Sequence, residues 1–363
     1  QRAKLEADAY TAAFFWPIQT DTEWAPTYGE VFRLQREGPS AIPLEQAERI
    51  KALADEHRFF HWHLEFPEVF ASEGEDAEQA ERAEAASTNG QTDARDNAST
   101  GAETGFDVVL GNPPWEQIQL EEKEFFAVRA PEIAGASTTA KRKKKIKQLK
   151  KNSDPLYDEY QRAQHFSEAL STYLKESGRY DLVAVGRINV YQIFAGLVRQ
   201  VVDARGRVGV IVPSGIATDY YTRDYFNALV DNRELVSLYD FENRQPLFHG
   251  VDSRMKFCLL TLTGTGAPQS TIDFTFFLTR TEHLTESDRH FTLTPDQLYA
   301  INPNTGTCPT FRSKRDAELT KKLYDAALVL VNEAEEENPW SISFKQGLFN
   351  MSTDSNLFRT RED

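Results

Sequence analysis

Apolar residues cluster in short runs rich in β-branched side chains, which turn residues or amphipathic stretches separate from one another. Such runs are typical of buried strands. They predict strands over residues 106–111, 208–213, 235–239 and 256–262. Apolar residues at helical spacing predict helices over 44–57, from Asn189 to an end at Gly206, and over 223–230. The alternation predicts an open α/β sheet, and the two consecutive strands at its end predict an antiparallel edge hairpin.

Pattern and composition divide the chain into four parts. Residues 1–70 form a helical and aromatic segment, and residues 71–104 are rich in Glu, Ala, Ser, Thr and Gly with few large apolar side chains. That composition predicts a disordered acidic linker. Residues 105–266 hold the predicted sheet, with a helical insertion over 116–180, and residues 267–363 follow it.

The charge balance of the chain bears on its partners and compartment. The formal net charge is -15 and the pI about 5.1, which argues against a broad nucleic-acid surface, although much of the acidity lies in the predicted linker. No apolar run in the given sequence is long enough to cross a membrane, and its first residues lack the charged-then-apolar pattern of a signal peptide. Cys258 and Cys308 lack metal-ligand spacing, and the cytoplasm is the expected compartment.

Two clusters have a chemical and a structural interpretation. His57, His61 and His63 lie close together, but interleaved aromatic residues favour a packed core edge over a metal site. Gly264 and Gly266 form a Gly-x-Gly pattern after the last predicted strand, where no helix follows, so a plain turn is predicted.

The tetrapeptide Asn112-Pro113-Pro114-Trp115 directly follows the first predicted strand. Open α/β sheets bind ligands at the carboxyl ends of their strands, so this is the position of a functional site. The exocyclic nitrogen of adenine is a poor nucleophile, because its lone pair is delocalised into the ring. The side-chain oxygen of Asn112 and the carbonyl of Pro113 can accept its two hydrogens and localise that pair as the nitrogen attacks a methyl group.

The other residues of the tetrapeptide suit the same chemistry. Each proline fixes φ and keeps the preceding residue extended, so the acceptors stay aimed. Trp115 offers a flat face to a base rotated out of the duplex, worth roughly 1–3 kcal/mol. The alternative is a tight turn with Trp115 in the core, but the pattern occurs by chance in roughly one chain in a few hundred, which favours a function.

A basic run over residues 141–151 lies in the predicted insertion and is expected to be helical. Its charged face can follow a DNA backbone, and a merely solvated helix is the equal alternative.

The sequence resembles the γ-type N6-adenine-specific DNA methyltransferases of type IIG-like restriction-modification and phage-defence systems. The tetrapeptide matches their catalytic motif, and segments in matching order cover most of the chain outside the linker. The resemblance implies the latter half of a Rossmann-like class I methyltransferase sheet, with helical insertions and an antiparallel edge hairpin. The matching segments are 59–70, 106–115, 189–194, 206–219, 240–262, 311–316 and 344–359.

The resemblance also implies roles for residues beyond the tetrapeptide. Asn189, Tyr191 and Pro213 are expected on the side of S-adenosylmethionine, although the family often has Asp where this chain has Asn189. Ser214 matches the end of the strand that Pro213 closes. Phe248 resembles a second aromatic that packs on the flipped adenine opposite Trp115, and hairpin core packing is its equal alternative.

The implied reaction is methyl transfer from S-adenosylmethionine to adenine N6 in double-stranded DNA. Restriction or defence subunits are expected partners, and a membrane is not. The glycine-rich cofactor turn of such enzymes is absent from these residues and is expected upstream of Gln1, so the isolated chain is expected to be inactive. Residues 352–363 resemble the entry to the target-recognition region, so 267–363 would connect to that region and begin it.

Three alternatives remain open. In the first, the chain is a noncatalytic DNA-binding or scaffold subunit of a defence complex, and this subunit has kept the tetrapeptide. Methylation of cytosine N4 uses the same chemistry, although that class usually has Ser in place of Asn112. RNA or a protein glutamine is also a chemically possible substrate. The sequence contains no convincing nuclease motif of paired carboxylates and Lys.

Overall fold

The structure is a computed structural model that describes most of the chain. The described residues are 2–17, 25–70, 104–245, 247–327, 329–333, 336, 338–343 and 347–359. The predicted linker, 71–104, lies outside them except for its last residue.

Helices flank a central sheet, and helices also make up the N-terminal segment and the insertion. They are α1 Arg2–Phe15, α2 Tyr28–Glu37, α3 Leu44–His57, α4 Trp62–Glu65, α5 Pro67–Phe70, α6 Glu122–Arg129, α7 Pro131–Ala134, α8 Thr139–Lys151, α9 Pro155–Glu176, α10 Val190–Val201, α11 Gly215–Thr218, α12 Arg223–Asp231, α13 Pro295–Ile301 and α14 Lys314–Ala326. Short 3₁₀ helices span Pro39–Ala41, Tyr220–Thr222, Thr281–Thr285, Ser287–Arg289 and Ser355–Leu357.

The sheet is mixed and has six strands in the order β1-β2-β4-β3-β5-β6. Its strands are β1 Phe106–Gly111, β2 Val202–Pro213, β3 Leu235–Glu242, β4 Lys256–Thr263, β5 Ile272–Leu278 and β6 Phe291–Leu293. The β1–β2 and β3–β5 pairs are parallel, and the other three pairs are antiparallel. The fold is therefore α/β, as predicted.

All four predicted strands exist, but the position of the hairpin was predicted wrongly. The strands β3 and β4 pair antiparallel, yet they lie inside the sheet and not at its edge. Two strands that the sequence did not predict, β5 and β6, extend the sheet beyond β3 and beyond residue 266. The local sequence pattern could not predict this extension, because β5 pairs in parallel with β3, which is not the strand before it in the chain.

The predicted burial of β1 is also wrong for this chain. Its strand is the edge of the sheet, and the side chains of Val108 and Leu110 are 60% and 77% exposed. Val109 points the other way and packs against the main core. An edge strand covered on one side alternates in burial, and composition alone did not reveal that.

The helix from Asn189 ends earlier than predicted. The last residue of α10 is Val201, and β2 begins at once with Val202. Gly206 therefore lies inside a strand, where a Cβ atom would come within 2.7 Å of the Phe106 carbonyl oxygen. Close approach of β1, and not the end of a helix, accounts for this glycine.

The main core lies between the sheet and the helices α10 and α12. Tyr225 of α12 is fully buried, and its hydroxyl donates a hydrogen bond to the Ala195 carbonyl oxygen of α10 over 3.0 Å. Cys258 and Cys308 are buried in the same core and carry free thiols. The turn after β4 packs against β2, since a Cβ on Gly264 would collide with the Asp203 carbonyl at 2.0 Å.

The histidines of the N-terminal segment take part in packing, as expected. Nε2 of His61 lies 2.9 Å from a carboxylate oxygen of buried Asp8, and the ring of His57 packs against Phe15 and Phe166. In the described ranges no group of three or more His, Cys, Asp or Glu side chains could hold a metal ion.

The insertion is helical, with α6 to α9 between residues 122 and 176. Its small core contains Phe125, Phe126 and Ile146, while the far end of α9 joins the main core through Leu174. The domain boundaries remain predictions. Within the described part of the chain, none of the helices combines the length and the apolar character needed to cross a membrane.

Candidate functional site

The tetrapeptide lies in an extended segment at the carboxyl end of β1. Asn112 and Pro114 are exposed, Pro113 is buried and Trp115 is half-buried. No described residue forms a hydrogen bond with the Asn112 side chain. Its amide group is therefore open to a ligand, whereas the residue after it is packed.

Main-chain hydrogen bonds fix the segment that follows the tetrapeptide. The Val190 N–H donates to the Glu116 carbonyl over 2.8 Å, and the Ile118 N–H donates to the Ile188 carbonyl over 2.9 Å. These bonds tie the tetrapeptide to the start of α10, next to the N-cap residue Asn189. Both ends of the tetrapeptide are thus attached to regular structure.

Trp115 is held by the sheet and by two other aromatic rings. Its indole N–H donates to the Ile211 carbonyl of β2 over 3.3 Å. The rings of Phe257 and Phe248 both have centroids 6.0 Å away, the first stacked at 29° and the second edge-on at 79°. We call Trp115, Phe241, Phe248 and Phe257 the aromatic cluster. The structure thus brings together Trp115 and Phe248, two residues that the sequence singled out separately.

Asn243 holds Phe248 in this cluster, and the sequence did not point to it. The side chain of Asn243 is fully buried at the end of β3. Its amide nitrogen donates to the carbonyls of Phe248 and Val251, each over 3.0 Å, and its oxygen accepts from the Phe248 N–H over 3.1 Å. An Asn just after a predicted strand is a weak signal of such a role.

A groove runs along the open edge of β1, and we call it the edge groove. Its volume is about 540 Å³. Side chains of β1, of α10 and of two aromatic residues in the N-terminal segment line it. Its lining includes Trp62, Phe66, Leu110, Asn112, Phe194 and Leu197. Asn112 is the polar side chain of this lining, so the edge groove ends at the candidate acceptor.

The three positions expected beside a methyl donor occupy different environments. Asn189 is half-buried, and its main-chain N–H donates to Oε1 of Gln192 over 2.8 Å. Tyr191 is 5% exposed, and its burial raises the pKa of its hydroxyl. Pro213 closes β2 and is half-buried. None of the three lines the edge groove.

Buried polar groups follow Pro213 at the same end of the sheet. The Ser214 hydroxyl donates to the carboxylate of Asp240, whose other oxygen accepts from the Phe277 N–H over 3.2 Å. Burial raises the pKa of Asp240, and these two hydrogen bonds oppose the rise. Phe277 has a φ of 61°, which is strained for a bulky residue, and Asp240 stabilises that conformation. Asp240 thus has a structural partner for each carboxylate oxygen.

Comparison with protein families gives a match that contains the tetrapeptide. Residues 33–158 match the family model described as Eco57I restriction-modification methylase. The predicted resemblance to restriction-modification methylases is therefore confirmed. No curated protein matches the chain.

Solved structures with partial similarity include a modification subunit of a putative type I restriction enzyme from Vibrio vulnificus YJ016. The identity is 10%, the match covers 53% of this chain and 34% of that one, and the TM-score is 0.31. A structure from a type I R-M system is 13% identical, the match covers 61% of this chain and 42% of that one, and the TM-score is 0.32. The type IIG restriction endonuclease BpuSI is 14% identical, the match covers 40% of this chain and 18% of that one, and the TM-score is 0.28. The chain spans less than half the length of each of these three proteins, and TM-scores this low support no conclusion about this chain.

Proposed function

We propose that this chain contributes the base-binding and catalytic motif of a site-specific DNA methyltransferase that acts on adenine N6 in a restriction-modification or phage-defence system. The observation that carries the proposal is the contrast within the tetrapeptide. Asn112 is exposed and unpartnered among the described residues, while Trp115, three residues later, is fixed against the sheet.

Asn112 is proposed to accept one hydrogen of the adenine amino group through its side-chain oxygen, and the carbonyl of Pro113 to accept the other. Two acceptors in fixed positions localise the lone pair of N6 and stabilise the tetrahedral nitrogen that forms during attack. As the new N–C bond forms, the bond between the methyl group and the sulfur of its donor would break, and the excess proton would pass from the nitrogen to water. Attachment of both ends of the tetrapeptide supports this preorganised role.

Trp115 is proposed to stack on the extruded base, and Phe248 to cover the opposite face. A base between two parallel rings needs them about 7 Å apart, since each carbon–carbon contact takes about 3.5 Å. The two rings are now edge-on, with 6.0 Å between centroids. Phe248 therefore has to turn away from Trp115 when a base enters, and the loop held by Asn243 sets how far it can move.

S-adenosylmethionine is the methyl donor that the methylase match implies, and when bound it supplies an electrophilic methyl group. The described residues fit one wall of such a site. The edge groove is mainly apolar, includes Asn112 in its lining and is bounded by β1, which pairs on one side only with the strands that the structure describes. Asn189, Tyr191 and Pro213 are proposed to support this wall, and a further segment that pairs with β1 would supply the opposite one.

Methyl transfer to duplex DNA tests the proposal. The longest natural form of the protein is incubated with labelled S-adenosylmethionine, as wild type and as Asn112→Ala, and the DNA is digested to identify the methylated base. We expect N6-methyladenine from wild type and a rate roughly 10²–10³ lower from the variant, by analogy with the loss of one preorganised polar group. The matched control is Asn152→Ala, an exposed Asn in the insertion, which should keep the wild-type rate.

The outcomes separate the candidate functions. Equal rates for wild type and Asn112→Ala contradict the role of Asn112. N4-methylcytosine as the product moves the enzyme to the other amino-methylating class. Specific DNA binding without any methyl transfer favours the noncatalytic subunit.

A further inference from the structure

Helix α8 stands out electrostatically from the rest of the chain. Its 13 residues include eight Lys or Arg side chains and no acidic one, in a protein with a net charge of -15. A helix with so many like charges repels itself, because neighbours at i+3 and i+4 destabilise one another. Tertiary contacts therefore have to hold it.

One side of α8 provides those contacts. Arg142 is 7% exposed and its Nε lies 2.9 Å from a carboxylate oxygen of Glu122 on α6. Ile146 is buried with Phe125 and Phe126, and the Thr138 hydroxyl caps the helix by accepting from the Lys141 N–H over 3.2 Å. The helix is thus fixed in one orientation, and its outer side is fixed with it.

The outer side carries a row of three lysines, Lys144, Lys147 and Lys151, which we call the lysine face. The spacing of three and four residues places them on one side of the helix, and all three are exposed. None forms an ion pair with a residue that the structure describes. They extend over about 10 Å along the helix axis, a length that spans about three nucleotides of one DNA strand.

The lysine face is connected rigidly to the candidate site. Lys150 lies over the ring of Tyr157 on α9 at 5.7 Å. Further along α9, the Ser167 hydroxyl accepts a hydrogen bond over 3.1 Å from the N–H of Leu120, five residues after Trp115. From Tyr157 to Ser167 the helix axis covers about 15 Å, so α9 holds α8 at a fixed separation from the segment that follows the tetrapeptide.

We propose that the lysine face binds the phosphate backbone of the duplex DNA that carries the target base, outside the candidate site. The inference rests on the proposed function, because DNA is the polyanion that the tetrapeptide would bring to this surface. Lysine acts as a point charge toward phosphate and carries no sequence information, so the contact adds affinity and orientation but not specificity.

The test is the salt dependence of DNA binding by the full chain in its longest natural form. Binding to a mixed-sequence duplex is measured between about 50 and 200 mM salt for wild type and for the triple variant Lys144→Gln/Lys147→Gln/Lys151→Gln. Loss of three phosphate contacts should reduce the slope of log K against log salt by about 2.7, with the same loss of affinity on unrelated sequences.

Two control proteins separate position from charge. Lys51→Gln/Lys314→Gln/Lys322→Gln removes the same charge from exposed lysines elsewhere and should change the slope much less. Lys144→Arg/Lys147→Arg/Lys151→Arg keeps the charge and should keep the slope.

Methyl transfer by the same proteins distinguishes this inference from the proposed function. A reduced slope only in the Gln variant of the lysine face supports the inference, even if wild type methylates nothing, a result that would count against the proposed function alone. An unchanged slope in active protein overturns the inference and leaves an acidic protein segment as the occupant of the lysine face. Absence of DNA binding by wild type overturns both.

Discussion

Asn112 and Trp115 are three residues apart and differ in almost every physical property. Asn112 is exposed at the end of an edge strand and lines the edge groove. Trp115 is hydrogen-bonded to β2 and packs against both Phe248 and Phe257. A polar group without a hydrogen-bond partner among the described residues and an aromatic group with several partners show how one short segment can separate chemistry from stability.

The contrast predicts effects of very different size on stability for two alanine substitutions. Trp115→Ala removes a packed indole and its hydrogen bond, which should reduce the free energy of unfolding by about 3 kcal/mol. Asn112→Ala should change it by less than about 0.5 kcal/mol, because the side chain is exposed. Urea denaturation of both variants gives the two values. Equal losses would show that the two residues do not differ in the way described.

Asn243 offers a second comparison, within the aromatic cluster. Asn243→Ala leaves one N–H and two carbonyl groups without their partner, and we expect a loss of roughly 2 kcal/mol and faster proteolysis of the loop that carries Phe248. Asn232→Ala is the matched control, since the exposed Asn232 donates a single hydrogen bond to the Ala228 carbonyl over 2.7 Å. Unchanged proteolysis in Asn243→Ala would mean that Phe248 does not depend on Asn243.

The edge strand allows a third comparison, between two leucines. Leu110 is 77% exposed and Leu260 is 1% exposed. Leu110→Ala should therefore cost less than about 1 kcal/mol in this chain, whereas the control Leu260→Ala should cost about 2–5 kcal/mol. If a further segment covers β1 in a longer protein, the cost of Leu110→Ala rises there while that of Leu260→Ala stays the same. Thermal denaturation of both forms measures the difference.

Asp240 gives the smallest effect, and its sign depends on pH. Because the folded pKa of Asp240 is raised above its ordinary value of 3.8, the folded protein binds more protons than the unfolded chain as pH increases past that value. The free energy of unfolding therefore falls as pH rises through the folded pKa. Asp240→Asn lacks this dependence, so wild type should lose stability relative to the variant as pH rises above about 4. A wild-type protein that gains relative stability over this range would contradict the assignment.

The sequence predicted local elements well and their surroundings less well. The apolar runs and the helical spacing located β1, β3, β4, α3 and α12 to within a few residues, because these patterns depend on the residues themselves, whereas β2 begins six residues earlier than predicted. The run over 106–111 could not reveal that only one side of β1 is covered, since that depends on which strands lie next to it.

The candidate site shows the same limit. Asn112 and Trp115 could be proposed from one tetrapeptide, because it follows a predicted strand and combines an acceptor side chain, two prolines and an aromatic ring. Asn243 could not, since its role comes from a loop that folds back over it from residues five and eight positions later. Burial of a polar side chain is a property of the folded loop and not of the sequence pattern.

The parallel pairing of β1 with β2 has a kinetic consequence. Val109 pairs with Val208, so the chain has to close a long loop before the two strands meet. Each doubling of loop length adds only about 0.6 kcal/mol of entropy, but such contacts slow folding. The helices of the insertion lie inside this loop and make mostly local contacts, so they can form first and bring the two strands closer together. We therefore expect the insertion to be an early folding unit and the candidate site to be completed last.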